Sequence, residues 1–266
     1  MLKVAKTLVI VFSLLFIPAR IFGKYTYAEN KEGYKIKTVV IDPGHGGHDP
    51  GTVGKVAKEK DIVLKLALQL GEKIKKEYPD VKVLYTRSTD KFVDLAERSA
   101  FANRNNADLF ISLHCNASPR SHSVRGTETF VMGLHKTDGN LEVAKRENSV
   151  ILKETNYQEK YKGFDPSSPL AYIMLANYQS AFLTNSLYFA QLVEKQFGKA
   201  RSSRGVKQAG FLVLWRTAMP SVLVEIGFLS NPEEEKYLNS EKGRSDTADR
   251  ILKAFGEYKK AVEIAD

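Results

Sequence analysis

Short apolar runs of strand length, each followed by a stretch with helical spacing, most narrow the folds open to this chain. The runs fall at 35–41, 81–86, 109–114, 126–132 and 221–226, and helical segments start near Asp61, Val93, Leu141, Ser180, Pro232 and Arg244. In the first helical segment Val63, Leu66, Leu70 and Ile74 share one face, and Asp61 stands where it can cap the N-terminus. Such alternation predicts an α/β layered domain around a mostly buried sheet. With 266 residues the chain suffices for one large domain or two small ones. No repeat, low-complexity tract or Pro/Ser-rich linker divides it, so a single catalytic-sized domain is expected over 34–262.

The first 28 residues read as an export signal. Lys3 and Lys6 precede an apolar run from Thr7 to Ile17, and small residues follow at Gly23 and Ala28. The run is short for a permanent membrane helix, and cleavage fits after either small residue, which would leave no stable membrane anchor. Cys115 is the only cysteine, so an intramolecular disulfide and a lipidated N-terminal cysteine are both excluded. It follows His114 on a strand and should face the other way as a small buried hydrophobe. The net charge of +9 suits nucleic acid, anionic lipid or an anionic polymer such as cell wall. The chain lacks arginine-rich runs and aromatic-basic repeats, and together with the export signal this argues against nucleic acid.

Almost fifty residues separate the strand ending at Met132 from the helix near Ser180, and connections of that length are usually functional or disordered. Within this inserted segment, 137–178, a helix is expected over 141–154. Val143, Glu147, Val150 and Glu154 would share one of its faces.

Four residues carry candidate chemistry. His45 stands in Asp42-Pro-Gly-His-Gly-Gly, a glycine-rich turn directly after a strand. Such a turn presents a ligand well, yet is also an ordinary loop; His48 is a rival ligand three residues on. Glu59, just before a helix, can bind metal or favour the helix dipole. His114 ends an apolar strand, where a lone histidine is a ligand or a satisfied core group. Glu225 interrupts Val222-Leu-Val-Glu-Ile-Gly-Phe228, a run that should be buried, and a carboxylate there is costly unless paired or functional. Two imidazoles and a carboxylate form a mononuclear zinc set with an open position for water, and a further carboxylate can move protons.

These residues lie in Ile41-Asp-Pro-Gly-His-Gly-Gly, Glu59-Lys-Asp-Ile, Thr86-Arg with Leu95-Ala-Glu-Arg98, Ser112-Leu-His-Cys-Asn-Ala117 and Val224-Glu-Ile-Gly-Phe-Leu-Ser-Asn231. In order and spacing the chain resembles the zinc-dependent N-acetylmuramoyl-L-alanine amidases of bacterial cell-wall turnover, in their large third family. The resemblance runs from about Lys35 to Tyr258 and departs at Cys115, where such proteins usually carry a small residue.

The resemblance implies a mixed, mostly parallel sheet flanked by helices, with one inserted helical segment. It implies one zinc ion per chain on His45, Glu59 and His114, with Glu225 as the catalytic glutamate. The substrate would be the amide between N-acetylmuramic acid and L-alanine in peptidoglycan, cleaved in wall turnover and daughter-cell separation. Asp42 or Asn116 would orient an imidazole. Arg87 and Arg98 would meet stem-peptide carboxylates or serve as structural ion pairs, and Asn116, Gln208 and Phe211 would touch substrate. The insertion resembles a segment that covers the zinc cleft in some periplasmic members until an activator protein removes it, with Glu147 as the plug. The expected location is the periplasm, with secretion to the cell wall as the alternative. A zinc peptidase and a wall-binding scaffold that has lost catalysis are the rival functions.

Overall fold

A computed structural model of the chain describes residues 34–176 and 181–263. The export signal expected over 1–28 and the end of the insertion at 177–178 lie outside the described residues.

Six strands form one sheet. In chain order β1 (Thr38–Pro43), helix α1 (Glu59–Glu77), β2 (Lys82–Tyr85), α2 (Leu95–Arg104) and β3 (Leu109–Asn116) come first. β4 (Thr127–Met132) follows and leads into the insertion. The insertion holds α3 (Asp138–Asn148), a 3-10 turn (Ser149–Lys153), α4 (Tyr157–Lys160) and α5 (Pro169–Ala176). After it come α6 (Leu183–Gly198), β5 (Ser203–Ala209), α7 (Leu212–Trp215), β6 (Ser221–Phe228), α8 (Pro232–Asn239) and α9 (Glu241–Glu263).

The strand order is β2-β1-β3-β6-β4-β5. β1, β2, β3 and β6 run parallel, β4 is antiparallel to β6, and β5 is parallel to β4. The sheet is therefore mixed and mostly parallel, as expected. β1, β3 and β6 lie inside it and are buried almost throughout, which explains their continuous apolar sequences.

Alternate residues of these strands feed two cores. Val39, Ile41, Ile111, Leu113, Cys115, Val222 and Val224 pack with α1, α6 and α9 on one face. Cys115 faces away from His114, as the alternation predicts. Val40, Phe110, Phe130 and Leu223 pack on the other face with α2, α7 and the insertion. Leu141, Ala144, Ile151 and Tyr172 of the insertion are buried in this second core, so the segment is part of the fold.

Several local expectations are corrected. The N-cap of α1 is Lys58 rather than Asp61, and Glu59 and Asp61 both fall in the first turn, beside the positive end of the helix. The helix expected over 141–154 stops at Asn148 and tightens into the 3-10 turn. Asn148 ties the break to the chain before α7: its Nδ2 donates to Gly210 O at 2.7 Å and its Oδ1 accepts from Leu212 N at 2.9 Å. Even so, Val143, Glu147, Val150 and Glu154 are all buried, as their spacing suggests. β5 has no apolar alternation in Ser-Arg-Gly-Val-Lys-Gln-Ala and sits at the sheet edge, where one side needs no partner, so its sequence gave no strand signal.

Candidate metal centre and active site

The site lies at the C-terminal end of the parallel strands, on the face covered by the insertion. His45 follows β1 with a φ of 59°, and Gly46 and Gly47 continue at positive φ, which turns the chain back sharply over the strand end. Gly44 is required by its neighbour: a Cβ there would lie 2.4 Å from the His114 ring. Arg87 and Arg98 hold this turn from below. Arg87 donates to the carbonyls of Pro43 at 2.9 Å, Gly44 at 2.7 Å and Lys60 at 2.9 Å. Arg98 reaches the carbonyls of Pro43 and His45, each at 2.8 Å, and pairs with Asp42 at 2.7 Å.

Around one point stand His45 from the loop, Glu59 from the first turn of α1, His114 from β3 and Glu147 from the last turn of α3. His45 Nε2 lies 3.1 Å from Glu59 Oε1 and 3.2 Å from Glu147 Oε2. His114 Nδ1 lies 3.1 Å and 2.9 Å from the same two oxygens. Yet His45 Nε2, His114 Nδ1 and Glu147 Oε2 have no hydrogen-bond partner, although all are buried. These atoms face one shared centre. All four donor atoms lie within 4.8 Å of each other. Two nitrogens and two carboxylate oxygens so arranged fit a divalent cation, and zinc takes this donor set at tetrahedral sites.

Glu59 is fixed before any metal arrives: its Oε2 accepts from Thr52 N at 2.7 Å and its Oε1 from Cys115 N at 2.8 Å. Asp49, rather than Asp42 or Asn116, orients the imidazole of His45, with Oδ2 at 2.7 Å from Nδ1. Asp42 is instead bonded to Arg98, Thr86 and Ser112, and Asn116 donates to Glu128.

Glu225 of β6 pairs with His114 in the strand register and is fully buried. Its Oε2 has no partner, and its Oε1 lies 3.3 Å from Arg146 Nη2. Burial and the adjacent Glu147 charge push its carboxyl well above the usual range, against the pull of Arg146 and His114. In the metal-free site burial would lower both histidines, but the surrounding carboxylates reverse this. His114 rises to about 9 through Glu147 and Glu59, and His45 rises well above its usual value, chiefly through the Glu59 charge.

The residues predicted to touch substrate fare differently. Arg87 is buried and bonded to backbone carbonyls, and Phe211 is buried with its ring 5.1 Å from Phe130. Asn116 is equally enclosed, so in this closed state none of the three presents a surface to a substrate. Gln208 on β5 remains half-buried. His48 stacks on Phe92, with ring centroids 4.1 Å apart, away from the four-atom centre.

Sequence analysis missed Arg146, Lys153 and Asp49. The spacing of Asp49 four residues after His45 was the only available signal for it. Arg146 reaches Glu225, and Lys153 Nζ reaches Asp49 Oδ1 at 2.7 Å. The insertion thus touches the two imidazoles, the buried Glu225 and the carboxylate behind His45.

The family model described as N-acetylmuramoyl-L-alanine amidase matches residues 39–257, a span that includes every one of these groups. The chain belongs to this amidase family. Among curated relatives, the amidase AmiC of Escherichia coli O6:H1 is 35% identical over 225 residues, covering 83% of this chain and 52% of the relative. The chain therefore spans about half the length of AmiC. YqiI of Bacillus subtilis, an uncharacterized protein, is 33% identical and covers 87% of this chain and 89% of its own length. An amidase structure from Clostridium difficile 630 matches with a TM-score of 0.59 and 28% identity, over 86% of this chain and 99% of that one.

Proposed function

We propose that the chain is a zinc-dependent N-acetylmuramoyl-L-alanine amidase of peptidoglycan whose own insertion closes over the site. The observation that carries this reading is the convergence of unpartnered, buried nitrogen and oxygen atoms from His45, His114 and Glu147 beside Glu59, within a chain of this family.

His45, Glu59 and His114 would hold the zinc, and Glu147 would offer a fourth donor. Zinc held there would supply Lewis acidity toward the scissile carbonyl and an attacking water. Glu225, beside His114 in the strand register and with one oxygen unpartnered, would take the proton from the attacking water and return it to the departing L-alanine amine. Asp49 holds His45 in one orientation, and Thr52 and Cys115 hold Glu59.

Three contacts support inhibition by the insertion. Glu147 fills the position a substrate needs, Arg146 pairs with the proton carrier, and Lys153 engages Asp49. A catalytic zinc site keeps one position open, whereas four protein ligands close it. An activator protein that lifts the segment is the expected partner. Action in the periplasm, or in the wall after secretion, for wall turnover and daughter-cell separation, fits both the substrate and the expected export signal.

The test is hydrolysis of purified sacculi, read by mass analysis of the released stem peptides. Because removing 137–178 would uncover Ile151 and Tyr172 contacts in the second core, point variants are the cleaner probe. The full chain carrying Arg146→Ala and Glu147→Ala should release peptides with a free L-alanine amine faster than the wild type, and chelator should stop it. Peptides cleaved within the stem would mark a peptidase instead, and chelator-resistant release would remove the zinc.

A further inference from the structure

Cations that meet acidic groups of the substrate cannot be Arg87 and Arg98, since both are buried and bonded to the chain itself. A different pair stands at the active end of the sheet. Glu128 of β4 lies directly opposite Glu225 of β6 in the antiparallel register, so the two side chains rise on one face. Glu128 is 2% exposed, and its Oε1 accepts from Lys207 Nζ at 2.6 Å and from Arg204 Nε. Its Oε2 accepts from Asn116 Nδ2 at 3.1 Å. Two cations on one carboxylate leave a surplus positive charge next to the reacting centre.

Arg204 is the cation with capacity left. Only its Nε joins Glu128, and its two terminal nitrogens meet no acceptor among the described residues. Its guanidinium carbon stands 5.4 Å from the centre of the Phe228 ring, and its side chain is 41% exposed even with the insertion closed. A local irregularity aims it there. The β4–β5 register slips between Thr127↔Ser203 and Thr129↔Val206, so Glu128 faces both Arg204 and Gly205, the latter at a φ of 82°. Bulges of this kind re-aim side chains beside functional sites. β4 lies between β6 and β5, so two strand spacings place the Arg204 backbone on the order of 10 Å from that of Glu225. An extended peptide covers about 3.4 Å per residue, so this reach corresponds to a side chain two or three residues from the cleaved bond.

We propose that Arg204, backed by Lys207, binds a free carboxylate on the peptide half of the substrate, two or three residues beyond the cleaved amide. Glu128 and Asn116 act as positioning residues that hold the guanidinium with its fork outward, the geometry that takes a carboxylate in bidentate fashion. A sugar joined through an amide offers no carboxylate, so the peptide half lies across β4 and β5. The assignment rests on the amidase reading of the Glu225 site.

The test uses the full chain with Arg146→Ala and Glu147→Ala, loaded with zinc, and a synthetic N-acetylmuramoyl-tripeptide. One form carries free carboxylates on its second and third residues and the other carries primary amides there. Titration calorimetry with the free tripeptides gives a second readout independent of turnover. The acid form should be favoured by roughly tenfold or more in kcat/KM, carried in KM, as expected for a charge-assisted pair. Arg204→Gln should abolish that preference while leaving kcat and the melting temperature in place, since Lys207 and Asn116 still satisfy Glu128. Arg204→Lys should restore part of it. Equal hydrolysis of acid and amide, or a preference that survives Arg204→Gln, overturns the subsite and leaves the amidase reading standing. Tripeptide binding that depends on the carboxylate and on Arg204, without hydrolysis of either form, supports the subsite and removes the amidase reading. Loss of both hydrolysis and carboxylate-dependent binding overturns both.

Discussion

Glu154→Ala should raise activity although the residue never touches the metal centre. Glu154 belongs to the insertion and caps a different element: its Oε1 accepts from Leu95 N, the first residue of α2, at 2.9 Å. Both its oxygens accept from Tyr161 Oη at 2.9 Å, and that hydroxyl accepts from Ala96 N at 2.9 Å. Asp94, the formal N-cap of α2, makes no side-chain cap bond, so the insertion supplies the cap. The alanine would orphan Leu95 N and the Tyr161 hydroxyl only when the segment is docked. Losing a charged acceptor costs about 1.5–3 kcal/mol, and a lost cap about 1 kcal/mol, with overlap between the two. A net loss of about 2–3 kcal/mol raises the ratio of lifted to docked segment roughly 30- to 150-fold. Release of dye from labelled sacculi should rise with it until the lifted form dominates. Limited proteolysis should cut faster within 137–176 over the same range. A lower melting temperature with neither change would refute the reasoning, because Glu154 would then serve α2 alone.

Other outcomes follow from the same contacts. Glu225→Ala should retain zinc, measured by metal analysis, and lose turnover; loss of the metal would make Glu225 a ligand. In the metal-free protein His45 and His114 are held protonated at neutral pH, so zinc binding at pH 7 should release about two protons, seen as a buffer-dependent heat in calorimetry. Their folded-state values are raised, so the stability they give the metal-free protein is complete below their ordinary value of 6.5 and disappears as pH rises through about 9 for His114. Asp42 behaves oppositely. Burial raises its pKa, but the Arg98 charge and the bonds from Thr86, Ser112 and Arg98 bring it below the usual value. Its contribution is present above about pH 4 and lost as pH falls through the lower folded-state value, so Asp42→Asn should flatten the acid limb of melting temperature against pH.

Much of this was written locally in the chain. β1, β3 and β6 were visible because burial on both faces demands unbroken apolar runs, and the two histidines and Glu225 stood out against those runs. Glu59 was legible through its motif, although its position at a helix start alone favoured an interaction with the helix dipole over metal binding. β5 was invisible because an edge strand with a bulge needs no apolar alternation. Arg204 and Lys207 were therefore not singled out as cationic candidates. Arg87 and Arg98 were read as either carboxylate binders or ion pairs. Their buried bonds to the turn around His45 join residues more than forty positions apart, which no periodicity encodes. The helix break at Asn148 likewise depends on Gly210 and Leu212, sixty-odd residues downstream.

Arg146, Glu147 and Lys153 sit within one turn-to-turn stretch, yet they engage three separate parts of the machinery. A loosening that frees only Lys153 would leave Arg146 on Glu225 and Glu147 between the two histidines. If the insertion restrains the site as proposed, stray cutting would depend on how rarely that whole stretch departs. Such steepness would keep a proposed wall hydrolase from leaking activity gradually.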